Sequence, residues 1–228
     1  MKKRLMFAAI PLFCLCCALA SAALAPQTLL GYQERYGYGS GSGAGEVPGG
    51  GNCDNAGVVY PDNPFHGWPV DYKPGDWSTV TFFFCALYPD GSPHWGIDLG
   101  VPSGEGTILA TCERGVVRQA DGCEGDGECW NYGMGRYVQI EAQARVAEYD
   151  QCVADHGGDQ QADECWADTG WRATYMHLQE VSVSAGQIVY RGQALGKTDN
   201  TGNSTGPHLH YQINSPAAGA VDPAPTME

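Results

Sequence analysis

Two short segments of this 228-residue chain concentrate side chains able to do chemistry: Pro93-His94-Trp95-Gly96-Ile97-Asp98 and Gly206-Pro207-His208-Leu209-His210. On a strand, residues two apart share a face, with Cα atoms about 6.6 Å apart. His208 and His210 therefore face one way and Leu209 the other. One imidazole can hold a metal while its neighbour serves as base or proton donor, or both can be ligands. His94 and Asp98 are four apart. A straight strand would hold their Cα atoms about 13 Å apart, too far to share an ion at about 2 Å per bond. Gly96 offers a permissive backbone that lets the segment fold back. His94, Asp98 and one imidazole of the second segment then make three N/O ligands with a fourth position open, which describes a catalytic zinc rather than a structural one. Spacing alone leaves exposed or core-satisfied histidines as the competing reading.

The elements that must position these side chains read as short strands. Val80–Phe84, Thr107–Ala110, Gly115–Arg118, Tyr137–Ile140, Thr174–Met176, Ile188–Tyr190 and Leu209–Ile213 are apolar runs set between Gly, Pro and Asp punctuation. Regular short strands with turn signals predict an all-β fold, an antiparallel sandwich or barrel. Only Gln143–Asp155 has a helical look, and its periodicity is weak.

Composition bounds the partners and the compartment. With Lys+Arg 12 against Asp+Glu 26, the formal net charge is −14, which lacks the basic footprint that nucleic acid requires. Lys2, Lys3 and Arg4 precede a nearly continuous apolar run from Leu5 to Leu19 and then small residues, the order of a secretory signal peptide. Cleavage is placed after Ala22, leaving a mature chain of charge −17 with no second run long enough to span a membrane. Residues 23–59 hold a Gly-rich stretch read as a linker, and 217–228 a Pro/Ala-rich tail. Seven mature cysteines fit an oxidising compartment and leave one unpaired, or paired between chains. Proximity favours Cys123–Cys129 and Cys152–Cys165, each closing a short acidic loop. Structural zinc is the rival use for these sulfurs, but no C-x2-C pair occurs.

The order of motifs resembles the lysostaphin-type, or LytM-type, zinc metallo-endopeptidases that cut peptidoglycan peptides. Their pattern H-x-G-x-D, G-x-V, Y-x-H-L, G-x-x-V-x-x-G-Q-x-[IL]-G and T-G-x-S-T-G-P-H-L-H is matched by His94–Asp98, Gly115–Val117, Tyr175–Leu178, Gly186–Gly196 and Thr201–His210. The likeness covers about residues 65–215, and the last motif is highly specific. It implies a catalytic domain of the duplicated hybrid motif type over 60–216, acting as a monomer outside the cytoplasm, secreted or periplasmic, with peptidoglycan as its partner. It further implies one Zn2+ held by His94, Asp98 and His210, with the first two ligands on a loop and the third on a strand. His177 and His208 become the non-ligand catalytic pair. Tyr88, six residues before His94, is the weakest carry-over, a tyrosine that steadies the transition state or a plain rim aromatic.

One departure concerns the connection between the Tyr137–Ile140 and Thr174–Met176 strands, which relatives make short. Here about residues 142–171 form a disulfide-closed insertion, expected either to wall the groove and alter substrate choice or to be a tolerated surface loop. Two other functional classes compete. A non-catalytic wall-binding or regulatory relative would typically lose ligands, and none is lost. A D-alanyl-D-alanine carboxypeptidase would want an H-x6-D spacing that is absent.

Overall fold

A computed structural model of the protein describes residues 53–120, 123 and 129–228. The signal-peptide and linker readings over 1–52, and the acids Asp121, Glu124, Asp126 and Glu128, lie outside the described residues. Ten strands follow in order: β1 Val80–Phe82, β2 Ile97–Gly100, β3 Thr107–Leu109, β4 Arg114–Ala120, β5 Arg136–Arg145, β6 Trp166–Val181, β7 Ile188–Tyr190, β8 Ala194–Thr198, β9 His208–Ser215 and β10 Gly219–Val221. One short helix, α1 (Tyr149–Asp155), separates β5 from β6. Among the described residues no helix is long and apolar enough to cross a membrane.

All strand pairs are antiparallel, in the order β1-β2-β9-β6-β5-β4-β7. The expected all-β antiparallel class stands; the sheet is open, with β1 and β7 as its ends, rather than closed. β10 adds to β9, and β8 joins β3 to β6. Alternation along β9 sends Leu209, Tyr211 and Ile213 into the core, with Ile97 and Leu99 of β2 beside them. Three buried hydroxyls knit that core: Thr111 Oγ1 bonds Tyr175 Oη at 3.0 Å and Tyr211 Oη at 2.8 Å, since a buried phenol needs a partner.

β6 is the strand on which the site turns. Its first part pairs with β9 over Arg172–Met176, and its last part pairs with β8 from Leu178 onward. His177 sits at the switch with φ +66°, in the left-handed region. The β5 register also slips between Arg136 and Val138, opposite this point, as a bulge does when it re-aims a side chain. A left-handed histidine inside a strand is unfavourable and persists only when its surroundings over-determine it.

The insertion does not wall the site. β5 and β6 run on as a hairpin to Arg145↔Trp166, and only residues 146–165 leave it. Trp166 lies eleven residues before His177, or about 30 Å along a twisted strand. The lobe instead folds onto the far end of the sheet. Buried Arg114 reaches Gln143 and Asp163 and stacks on Trp166 at 5.4 Å, while Arg145 stacks on Tyr149 at 4.8 Å. The regular helix within the stretch read as weakly helical is shorter than that reading, because Gln143–Arg145 belong to β5.

Three disulfides form among the described residues: Cys53–Cys85, Cys123–Cys129 and Cys152–Cys165. The two expected from proximity are present. His156 lies close enough to Cys152 and Cys165 to complete a metal cluster, but both sulfurs are spent in the bond. Among the described residues Cys112 is the unpaired thiol; it is fully buried, and burial pushes its pKa up to about 12, so it is inert. The double substitution Cys152→Ser/Cys165→Ser opens a short loop and is expected to cost about 2–4 kcal/mol, read as a lower midpoint in chemical denaturation.

The C-terminal stretch read as a tail is packed. β10 pairs with β9, and Val221, Ala224 and Met227 are buried. Asp222 is buried with them and accepts from the backbone N–H of Gly57 and Ala224, which ties the segment after Cys53 to this end of the chain.

Candidate metal centre

Register brings the first two residues together. In the β2–β9 pair Asp98 lies directly opposite His210, and in the β6–β9 pair Met176 lies opposite His210 on the other side. Directly opposed residues on antiparallel strands are about 5 Å apart. Asp98 is therefore a strand residue, not a loop residue as the sequence suggested; Ile97–Gly100 is short and follows Pro93 and Gly96 too closely to read as a strand. Gly96 acts by leaving room rather than by a special φ. A Cβ there would meet Tyr211 O at 2.6 Å and His210 Nε2 at 2.7 Å.

His94 arrives from a hairpin loop after β1. Its backbone pairs with Cys85 and Ala86, at 2.7 Å from Cys85 N to His94 O and 2.9 Å from His94 N to Ala86 O. Cys85 is pinned by its bond to Cys53. The Cys53–Cys85 bridge therefore anchors the His94 loop, a role that a separation of 32 residues hid from the sequence.

Three donor atoms converge. His94 Nε2 is 2.9 Å from His210 Nδ1 and 3.0 Å from Asp98 Oδ1, and His210 Nδ1 is 2.9 Å from Asp98 Oδ1. His94 Nδ1 lies 3.0 Å from the Phe83 carbonyl, which must accept, so the ring proton sits there and Nε2 presents a lone pair. Two ring nitrogens and a carboxylate at such separations are compatible with one shared ion at about 2 Å per bond. Burial alone would raise the Asp98 carboxyl, but the His210 and His94 rings beside it outweigh that and hold the carboxyl well below the usual carboxylate range. Burial pushes the His210 imidazole down, against the pull of Asp98. The set thus offers one carboxylate and two imidazoles, the donor set of a borderline-soft divalent ion.

His177 and His208 stand beside this cluster with ring centroids 4.6 Å apart. His177 Nδ1 donates to Thr201 O at 2.7 Å, and His208 Nδ1 to Gly206 O at 2.8 Å, with Ser204 Oγ at 3.1 Å. Both rings therefore keep Nε2 free, and His208 Nε2 lies 3.7 Å from Asp98 Oδ1. Burial, then the neighbouring His208, lowers the His177 pKa to about 4, so the ring is neutral near neutral pH. Tyr88 stacks edge-on against His94 at 5.7 Å. Burial, with Asp98 and Asp90, raises its phenol to about 12, which keeps it a hydrogen-bond donor. All six side chains singled out in the sequence gather at one end of β9.

The Thr201 carbonyl is itself held by a glycine bracket that the sequence reading left aside. Gly135 and Gly202 have φ +66° and +77°, and a Cβ on Gly202 would meet Gly135 N at 2.3 Å and Gly133 O at 2.5 Å. The same segment takes the His177 backbone, His177 N to Met134 O at 3.0 Å. Gly202→Ala is expected to cost about 1–3 kcal/mol through overpacking and to loosen the His177 tautomer. Denaturation curves and imidazole nitrogen NMR shifts read the two effects.

Residues 163–223 match the sequence profile of peptidase family M23, a stretch that holds His177, His208 and His210 and stops short of His94 and Asp98. An uncharacterized metalloprotease of Haemophilus influenzae is 32% identical over 122 residues, covering 54% of this chain and 18% of that protein. Peptidoglycan DD-endopeptidase ShyA of Vibrio cholerae is 54% identical over 39 residues, 17% of this chain and 9% of that one. Lysostaphin of Staphylococcus simulans is 32% identical over 105 residues, 43% and 21%. Its solved catalytic domain aligns at 26% identity over 63% of this chain and 87% of that one, with TM-score 0.43. The chain thus spans about a fifth or less of the length of these full relatives.

Proposed function

We propose, on the premise of the peptidase M23 domain that this chain carries, that the protein is a secreted zinc metallo-endopeptidase. It hydrolyses amide bonds in the peptide stems or cross-bridges of peptidoglycan. The observation that carries this reading is the division of four histidines into two chemical kinds at one end of β9. His94 and His210 bring a ring nitrogen each to within about 3 Å of one Asp98 oxygen, whereas His177 and His208 are pinned through Nδ1 by carbonyls and keep Nε2 for proton transfer. Peptidoglycan as the substrate is supported by the relative named as a peptidoglycan DD-endopeptidase.

His94, Asp98 and His210 would hold the ion. When bound, zinc supplies Lewis acidity toward the scissile carbonyl and makes a water nucleophilic near neutral pH. The chain's own residues do the rest. His177 and His208 share the work of taking the water proton and delivering a proton to the leaving amine. The Tyr88 phenol, held protonated, donates toward the developing oxyanion from the His94 side. Asp98 stays ionised and keeps both ligand imidazoles oriented. Residues 1–22 are removed on export, and the enzyme works as a monomer in the periplasm or outside the cell.

Digestion of purified sacculi by the zinc-loaded protein, with mass spectrometry of the released fragments, tests the proposal. Muropeptides cut at one amide bond, with intact sugars, are expected. Release of reducing sugar ends with intact peptides, or sacculi left whole, overturns it.

A further inference from the structure

Trp130 and Tyr132 are 60% and 95% exposed, and Trp130 is the one exposed tryptophan among the described residues. Exposed aromatics of this size next to a reactive site mark a binding surface rather than a packing role. They are held out by design of the backbone. Asn131 and Tyr132 have φ +38° and +55°, the left-handed region that non-glycine residues avoid. The turn is closed by Trp130 O, which accepts from Gly133 N at 2.7 Å and Gly135 N at 3.3 Å, and Asn131 Nδ2 donates to Gly135 O at 3.3 Å. The turn is continuous with the candidate active site. Met134 O accepts from His177 N, and Gly133 O accepts from Asn203 N at 2.8 Å, in the loop whose Thr201 carbonyl holds the His177 ring.

We propose that Trp130 and Tyr132 form a platform for the sugar strand of peptidoglycan, on the His177 side of the site. The inference rests on the endopeptidase reading and names the part of the substrate that the metal centre does not touch. Three features choose the sugar. The platform is aromatic and uncharged, and the flat C–H face of a pyranose stacks on such rings. The chain's net charge of −14 gives an anionic peptide no attraction, whereas N-acetylated sugars are neutral. A peptide branch lying against His177 must also bring its parent strand to a rim of the same cleft, and Trp130 is four residues from Met134, whose carbonyl accepts from His177 N.

The test has a binding arm and a kinetic arm, with the zinc-loaded full chain in both. Neutral N-acetylglucosamine oligomers are titrated by calorimetry, which needs no tryptophan reporter. Saturable binding is expected in the wild type, weakened at least tenfold in Trp130→Ala/Tyr132→Ala and regained in Trp130→Phe/Tyr132→Phe. In the kinetic arm the alanine pair should raise KM on intact sacculi about tenfold with kcat unchanged, and leave a sugar-free cross-linked peptide unaffected. Equal losses on both substrates would assign the platform to the peptide; no binding of the oligomers would remove the sugar. Either result overturns the inference. Failure of the wild type to cut either substrate would defeat the endopeptidase reading instead, while the binding arm would still decide the platform. Both side chains are solvent-exposed, so the variants should melt as the wild type does.

Discussion

His177→Ala and His208→Ala should each lose about 10²–10⁴-fold in turnover on peptidoglycan, the usual cost of a missing acid–base group, while keeping near-stoichiometric zinc. The geometry separates these rings from coordination. Each donates from Nδ1 to a backbone carbonyl, Thr201 O or Gly206 O, and neither belongs to the tight group in which His94, Asp98 and His210 place their donor atoms within 4.8 Å of one another. His208 is the closer test, since its Nε2 reaches to 3.7 Å from Asp98 Oδ1. Metal analysis beside single-turnover kinetics settles each role. Zinc loss in either variant would make that residue a ligand, and wild-type turnover in both would remove the hydrolytic mechanism.

The second large effect is loss of the metal itself. His94→Ala, Asp98→Ala and His210→Ala should each weaken zinc binding by more than the roughly 10–100-fold that follows loss of a supporting partner, and abolish activity with it. Asp98→Ala removes the only fixed negative charge in the trio. Removal of His94 or His210 leaves two donors, too few for a site that must also keep a position open. A second readout is independent of turnover: zinc should raise the wild-type melting temperature by binding the folded state alone and should leave the ligand variants unmoved. A His210→Ala protein with full zinc occupancy would sink the assignment.

What the sequence disclosed, and what it hid, follows from how far each contact reaches along the chain. His208 and His210 share a face because a strand repeats every two residues, which is local and was legible. Asp98 beside His210 is a matter of register across 112 residues; spacing grouped Asp98 with one imidazole of the second segment, and only the family likeness chose His210. The strand carrying Asp98 was missed because four residues between Gly96 and Val101 give too little pattern. Gly96 was assigned the right importance for the wrong reason: the constraint is space against His210, which depends on a neighbouring strand. The length of the insertion could be counted, but its direction depended on β5 and β6 continuing as a hairpin away from His177. The Pro/Ala-rich C-terminus looked like a tail because Val221 and Met227 carry no periodic signal, yet each finds a place in the core.

That hairpin also gives the molecule a handle. The lobe over 146–165 is solvent-facing along most of its length, rich in acids and sealed by its own disulfide, and about 30 Å of strand separates it from the histidines. A dye, an affinity peptide or a covalent link to a bead grafted at Gly157-Gly158, where an added side chain would meet nothing within 4 Å, should leave the cleft pointing away from the support. Enzyme coupled there would meet an insoluble polymer face-on, whereas coupling through random amines would bury a share of the active sites against the surface.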